Sequence, residues 1–171
     1  MKWLLYLVAL IALLVGGVFL VGYALPAQTT ISRSITLKQS PEAVFAVLAE
    51  VKKMAEWNRN TEKVEMLPPV KGKEATRQTF KGGMTMIIIT AESTAPTHLV
   101  RTLGDDGGPF AGSWTYDISP AEGGSRVVST EVAKFENPLF RVMTRLFGQT
   151  KYMDEHLQDL AKKFGETVNP S

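Results

Sequence analysis

Residues 137–166 have the sequence NPLFRVMTRLFGQTKYMDEHLQDLAKKFGE, and this stretch decides the fold. Steps of three, four and seven place its apolar residues on one stripe of a helix: Leu139, Met143, Leu146, Met153, Leu157, Leu160 and Phe164. Asn137 can cap the first turn, Pro138 suits the first helical position, and Gly165 can end the helix. A continuous helix over residues 138–164 would be roughly 40 Å long. Such a helix must cover a wide apolar surface, for which we expect a curved sheet.

Gly148 interrupts this helical pattern, at a cost of about 1 kcal/mol relative to alanine. Phe147 and Met143 would face the sheet beside it. We therefore predict that Gly148 marks a bend in the helix or the mouth of a cavity. On that hypothesis a leucine at this position reduces ligand binding, whereas an alanine is tolerated.

The chain before this helix shows the alternation of β-strands. Seven strands are predicted, over residues 30–37, 62–67, 74–81, 84–92, 98–103, 110–118 and 126–135. Pro68 and Pro69 should stop the second strand, and Ser40-Pro41 should start a helix before a short helical turn at 53–57. Short turns between consecutive strands predict an antiparallel meander, and therefore an α+β fold. On the sixth strand, Trp114 and Tyr116 should face the final helix.

Residues 3–25 carry no charge and would span roughly 34 Å as a helix, enough for a hydrocarbon core of about 30 Å. The alternative is a cleaved signal peptide, because Gly22 and Ala24 form a small-x-small pattern. We favour a retained anchor at residues 1–26 and one ligand-binding domain at residues 27–171. Lys2 before the span favours a single-pass membrane protein whose soluble domain is extracytoplasmic. Deleting residues 1–25 should then release a folded domain.

The composition excludes several classes of function. The chain has 171 residues and no cysteine, so disulfides, thiol nucleophiles and cysteine zinc sites are excluded. A net charge of +2 leaves no electrostatic footprint for nucleic acid. No phosphate-binding loop, dinucleotide fingerprint or hydrolase motif occurs. We expect no cofactor and no metal site, and the sequence does not predict an oligomeric state.

Four local patterns together carry a family resemblance. They are residues 34–37 with 40–45, residues 56–58, residues 112–118 with the turn before 125–127, and the terminal helix through Leu157 and Leu160. From Thr29 to about Gly165 the chain resembles the SRPBCC superfamily. These helix-grip domains include START-type lipid-binding proteins, the birch-pollen allergen family and the polyketide cyclase/dehydrase-like group. The resemblance implies a curved seven-stranded antiparallel sheet wrapped around the C-terminal helix, with a hydrophobic cavity between them. It does not settle the function.

Nine residues are candidates for lining that cavity: Trp57, Phe80, Met84, Met86, Phe110, Trp114, Tyr116, Met143 and Phe147. Each could instead be ordinary core, although methionine suits an adaptable apolar surface. We expect a membrane-tethered protein that binds or transports a hydrophobic or amphipathic small molecule such as a lipid. The alternatives are a cyclase or dehydratase acting on a hydrophobic substrate in the same cavity, and a partner-binding domain with a vestigial cavity.

An enzyme would need an acid or base in the cavity, for which Glu131, Tyr116 and Arg101 are weak candidates, so we lean towards a binding protein without catalytic residues. Arg101 either faces inward, where it needs an anionic partner, or points outward, which we favour. Several other polar residues are interpreted as surface, turn or solvated helix-face positions: His98, His156, Asp105, Asp106, Asp154, Glu155 and Asp159.

Overall fold

The computed structural model describes residues 2–104, 110–147 and 150–171. The side chains of Phe110 and Phe147 lie outside the described part of the chain, as do Asp105, Asp106 and Gly148. The expectations stated for these residues therefore stay predictions.

Seven strands form one antiparallel sheet. Their bounds are β1 Gln28–Leu37, β2 Thr61–Val70, β3 Lys73–Phe80, β4 Thr85–Thr94, β5 His98–Leu103, β6 Phe110–Ala121 and β7 Gly124–Phe135. The spatial order is β1-β7-β6-β5-β4-β3-β2, so consecutive strands β2 to β7 are neighbours and β1 closes the sheet beside β7. Every neighbouring pair is antiparallel. The predicted meander is confirmed.

Five α-helices accompany the sheet in the described part of the chain, and a single 3-10 turn, Val51–Lys53, precedes the third. They are α1 Lys2–Ala24, α2 Pro41–Ala49, α3 Met54–Trp57, α4 Pro138–Phe147 and α5 Thr150–Lys163. Ser40 caps α2 as expected, because its side chain accepts the N–H of Ala43. α4 and α5 carry the predicted helical pattern on either side of residues 148 and 149. Those two residues lie outside the described part of the chain, so a continuous helix over residues 138–164 stays a prediction.

The second strand does not stop at its prolines. β2 continues through Pro68 and Pro69 to Val70, with a register shift between Leu67 and Val70. It is an edge strand that pairs only with β3. An edge strand tolerates proline because one of its sides needs no N–H donors. The prolines therefore disturb the register without ending the strand.

The core lies between the concave face of the sheet and helices α2 and α5. Its buried members are Ile35, Leu37, Val44, Phe45, Leu48, Leu99, Tyr116, Ile118, Val127, Leu157, Leu160 and Ala161. α5 therefore buries the C-terminal half of the predicted apolar stripe. The N-terminal half, on α4, is different, because Leu139, Met143 and Leu146 are 40%, 44% and 72% exposed.

α4 instead packs beside the end of α1. Gly22 is buried, and a Cβ atom at this position would lie 2.7 Å from the carbonyl carbon of Pro138. Arg141 on α4 places Nη1 3.5 Å from the carbonyl oxygens of both Gly22 and Leu25. The Gly22 carbonyl belongs to the last turn of α1 and the Leu25 carbonyl follows it directly. Carbonyls at a helix C-terminus lack intrahelical partners and favour a cation. The glycine and the arginine together fix the two helices to each other.

Candidate ligand-binding site

Polar side chains occupy the concave face where three neighbouring strands meet. Arg101 on β5 is the register partner of Trp114 on β6, and Trp114 is the partner of Glu131 on β7. Directly paired residues lie on the same face of a sheet. Tyr116 lies on this face too, because it is two residues beyond Trp114 on the same strand. The structure thus brings all three weak catalytic candidates, Glu131, Tyr116 and Arg101, to the face that α2 and α5 cover.

Arg101 is buried, with only 3% of its surface exposed. Nη2 donates a hydrogen bond of 2.6 Å to the carbonyl oxygen of Leu48 in the last turn of α2. Nε and Nη1 are buried without a partner among the described residues. Burial also lowers the pKa of the guanidinium. The outward orientation that we favoured from the sequence is wrong, because the strand parity that buries Leu99 buries Arg101 as well.

His156 on α5 is half-buried and its ring bonds to two buried side chains, so its interpretation as a surface residue is wrong. Its Nδ1 is 2.6 Å from Nδ2 of Asn58, and its Nε2 is 3.1 Å from the hydroxyl of Tyr116. Burial and the charge of Arg101 lower the pKa of His156 to about 4. The imidazole is therefore neutral near neutral pH.

The hydrogen-bond network fixes the tautomer of His156. Oδ1 of Asn58 accepts the backbone N–H groups of Asn60 and Thr61 at 2.9 and 3.1 Å, so its Nδ2 must be the atom facing the imidazole. Since Nδ2 can only donate, Nδ1 of His156 accepts, and Nε2 carries the proton. Nε2 then donates to the oxygen of Tyr116.

Tyr116 is 6% exposed, and burial raises its pKa to about 12. Its hydroxyl therefore stays protonated at neutral pH. Because the oxygen accepts from His156, the O–H proton is available to a further acceptor. The inward orientation predicted for Tyr116 is confirmed, and the side chain of the next residue, Asp117, is 58% exposed on the opposite face. The partly buried Trp114 packs against the core as predicted.

Trp57, at the end of α3, completes a cluster of interior side chains. The other members of this buried cluster are Arg101, Trp114, Tyr116, Glu131 and His156. The ring centroid of Trp57 is 5.2 Å from that of His156, and its indole Nε1 is buried without a partner among the described residues. A surface cleft of about 410 Å³ includes Trp57 and Asn58 in its lining. Its lining residues are Ala55, Glu56, Trp57, Asn58, Arg59, Thr61, Glu62 and Lys81.

Glu131 differs from the donors around it. Nε1 of Trp114 donates to its Oε2 at 2.9 Å, and burial raises the pKa of its carboxyl group. Glu131 forms none of the salt bridges among the described residues. Glu131 lies on the same interior face as Arg101 and Tyr116, and burial favours the protonated form of its carboxyl group more than in an exposed glutamate.

The remaining cavity candidates are spread more widely. Phe80 on β3 and Met86 on β4 are half-buried. Met84, in the turn before β4, is 51% exposed, and Met143 on α4 is 44% exposed. Of the nine residues predicted to line the cavity, the described side chains of Trp57, Trp114 and Tyr116 belong to the buried cluster, whereas Met84 and Met143 do not.

Two acidic residues were wrongly assigned to a solvated helix face. Asp159 is 4% exposed and accepts the backbone N–H and Nε of Arg59 at 2.7 and 2.8 Å. Asp154 binds Nε of Arg33 at 2.8 Å, which explains the arginine on the otherwise apolar face of β1. Sequence reasoning also missed Asn58. Two local features of the sequence pointed to these contacts. One is the charged Arg33 on the otherwise apolar face of β1, and the other is the Glu56-Trp57-Asn58 motif.

Comparison with known proteins identifies the class of this domain. Residues 28–165 match the family described as "Polyketide cyclase / dehydrase and lipid transport". This match covers most of the chain, so the chain belongs to that family, and the resemblance to the SRPBCC superfamily is confirmed. No curated protein sequence matches significantly.

Solved structures share the fold at low sequence identity. The di-domain ARO/CYC BexL from the BE-7585A biosynthetic pathway has a TM-score of 0.66 at 10% identity, over 80% of this chain and 50% of that one. The chain therefore spans about half the length of that di-domain protein. The Zhui aromatase/cyclase from Streptomyces sp. R1128 has a TM-score of 0.66 at 14% identity, over 80% and 93% of the two chains. Protein MLL2253 from Mesorhizobium loti has a TM-score of 0.62 at 15% identity, over 80% and 97%. Each likeness shows the fold alone.

Proposed function

We propose that the domain binds an amphipathic small molecule, such as a lipid, between its sheet and α5, and that α1 holds it at a membrane. Membership of the family supports a domain for hydrophobic ligands. The observation that carries the proposal is the composition of the interior, where Trp57 and Trp114 pack against the core and buried nitrogens of Arg101 and Trp57 have no partner among the described residues. Ligand sites in proteins typically combine apolar walls with a small number of such groups.

The packing of α1 supports a retained anchor. α1 is the helix in the described chain that is long and apolar enough to cross a membrane, with a mean hydropathy of 2.9. Gly22, in the last turn of α1, is buried against Pro138, so a retained α1 has a packed contact with the domain.

The exposed side of α4 supports the same arrangement. Leu139, Met143 and Leu146 expose apolar side chains on the helix that packs beside the end of α1. Arg141 and Arg145 provide positive charge on the same helix. An amphipathic helix of this kind is stable at the boundary between head groups and acyl chains. On this proposal α4 lies at the membrane surface, and by the single charge of Lys2 the domain is extracytoplasmic.

Native mass spectrometry of the full-length protein, purified from membranes in mild detergent, tests the binding function. We expect adducts in the mass range of lipids or comparable amphiphiles, which organic extraction of the same sample should recover. A protein that is consistently empty, and that takes up no added amphiphile, would contradict the proposal.

A cyclase or dehydratase is a second candidate function, favoured by one observation. Glu131, with its raised pKa, lies on the same interior face as Tyr116 and Arg101. A carboxyl group whose pKa is raised by burial can act as a general acid or base. The test is to incubate the protein with the molecule extracted from it. A product lighter by one water, formed by the wild type and not by Glu131→Gln, would support an enzyme, whereas an unchanged ligand supports the binding function.

A further inference from the structure

We propose that Arg101, Tyr116 and Trp57 form a subsite for an oxyanion, the carboxylate or phosphate group of the bound amphiphile. The inference rests on the proposed binding function and names the chemistry of the group that the interior takes.

Arg101 provides the first argument. Its only hydrogen bond among the described residues is the one from Nη2 to the carbonyl of Leu48, which completes the end of α2. This contact provides a hydrogen-bond partner for one of the three guanidinium nitrogens. The other two are buried, and the guanidinium forms no salt bridge in the described part of the chain. A buried charge without an anion is unfavourable, so the site is complementary to a negative group.

The chemistry of the unpaired atoms also indicates a negatively charged ligand group. Nε and Nη1 of Arg101 and Nε1 of Trp57 are hydrogen-bond donors that cannot accept. A neutral hydroxyl or amide of a ligand would bring donors of its own into this set. A carboxylate or phosphate oxygen offers only acceptors, which makes it the better complement.

The direction of the hydrogen bonds through His156 adds a fourth donor, the O–H of Tyr116. Asn58 donates to Nδ1 of the imidazole, and Nε2 donates to the oxygen of Tyr116. The O–H of Tyr116 must therefore point away from His156, where it can donate to another acceptor. Arg101 lies diagonally across from Tyr116 on the same face of adjacent strands, because Leu99 is the direct partner of Tyr116 and Arg101 that of Trp114. The ring of His156 is in contact with both aromatic members of the subsite, with its centroid 5.6 Å from that of Tyr116 and 5.2 Å from that of Trp57.

A competition experiment separates an oxyanion site from a merely apolar one. The full-length protein in detergent receives equal amounts of oleate and methyl oleate, which differ only at the head group, and native mass spectrometry counts the two adducts. One charge-assisted hydrogen bond predicts a preference of about tenfold or more for oleate. In a further arm, 1-oleoyl lysophosphatidate competes with oleate and distinguishes a phosphate from a carboxylate as the preferred group.

Variants assign the preference to the cluster. Arg101→Gln and Tyr116→Phe should each bring the ratio of oleate to methyl oleate towards one, while methyl oleate binding is retained. Arg77→Gln is the matched control, because Arg77 lies exposed on β3. If circular dichroism shows that Arg101→Gln does not fold, the test compares the ratio of oleate to methyl oleate in Tyr116→Phe with that in the wild type. Tyr116→Phe should fold, because removing one hydroxyl conserves the packing.

The outcomes distinguish the two proposals. Equal binding of oleate and methyl oleate by the wild type would overturn the oxyanion subsite and leave the binding function standing. A preference that persists unchanged in both folded variants would also overturn the subsite. Binding of neither amphiphile would overturn both proposals.

Discussion

His156 makes the interior sensitive to pH. Its pKa is lowered to about 4 in the folded protein, chiefly by burial and then by the charge of Arg101, with Asp159 opposing the shift. An unfolded histidine titrates near 6.5. Between these values the unfolded state binds more protons, so the free energy of unfolding falls as the pH drops through this window and is fully retained above it. From pH 7.5 to pH 5 the expected loss is about 2 kcal/mol.

Urea unfolding of the wild type and of His156→Gln measures this loss. The variant should lose less stability than the wild type over the same pH range, because its residue 156 does not titrate. His98→Gln is the control, since His98 bonds to the exposed Asp117 outside the core. If His156→Gln and the wild type show the same pH dependence, the imidazole is protonated without penalty and the hydrogen-bond direction assigned above is wrong.

Gly22 determines how closely α1 approaches the domain. A side chain there would collide with the backbone of Pro138, whereas Gly17 on the same helix has open space around its Cβ position. We predict that Gly22→Leu separates α1 from α4 and that Gly17→Leu does not. Hydrogen exchange of residues 138–147 is the measurement, and it should rise only in the first variant. Equal protection in both variants would show that the helices do not depend on this contact.

The strands could be predicted from the sequence because their alternation is local. The parity of β6 correctly places Tyr116 inward, and the same rule applied to β5 places Arg101 beside Leu99. We nevertheless favoured an outward Arg101, because a buried cation without a partner is costly. The error marks the candidate site: strand parity was right, and what failed was the expectation that a chain avoids burying an unpaired cation, which functional sites often do. The prediction that the apolar residues of α4 share one face of a helix is correct. The prediction that this face packs on the sheet is wrong, because the face is exposed.

The α4 helix yields a prediction that the absence of cysteine makes simple to test. A spin label on Leu146→Cys, with the protein in lipid nanodiscs, should be more accessible to oxygen than to a polar nickel complex, because Leu146 lies on the apolar side of α4. A label on Val70→Cys, which is 38% exposed on the edge strand β2, is the control and should favour the nickel complex. A label at residue 146 that behaves like the one at residue 70 would place α4 in water.

At the scale of the whole molecule, the interior is built from contacts between distant parts of the chain. Asn58 pairs with His156 across 98 residues, Arg59 with Asp159 across 100, and Arg33 with Asp154 across 121. No periodicity in α5 indicates these partners, so its acidic residues and its histidine resembled an ordinary solvated face. The fold class followed from the order of the elements, whereas the polar cluster depends on tertiary contacts that sequence patterns do not contain.

The anchor and the domain should be separable. None of the buried core residues belongs to α1, whose described contact with the domain is the packing of its last turns on α4. We predict that a chain lacking residues 1–25 folds, with the circular dichroism of an α+β domain and cooperative unfolding. It should appear in the supernatant after carbonate extraction of membranes, while the full-length chain stays in the pellet.

The loss of α1 removes the carbonyls of Gly22 and Leu25 from Arg141, which keeps its bonds to the carbonyls of Phe135 and Glu136 at 2.8 and 3.0 Å. The effect on stability should therefore be small and confined to α4, which hydrogen exchange can localise. Binding of oleate should persist, because Arg101, Tyr116 and Trp57 all lie on elements that the deletion leaves intact. An unfolded truncated chain would show that α1 is part of the domain rather than its tether, and intact-mass measurement of the membrane-bound protein at 18.8 kDa distinguishes a retained anchor from a cleaved leader.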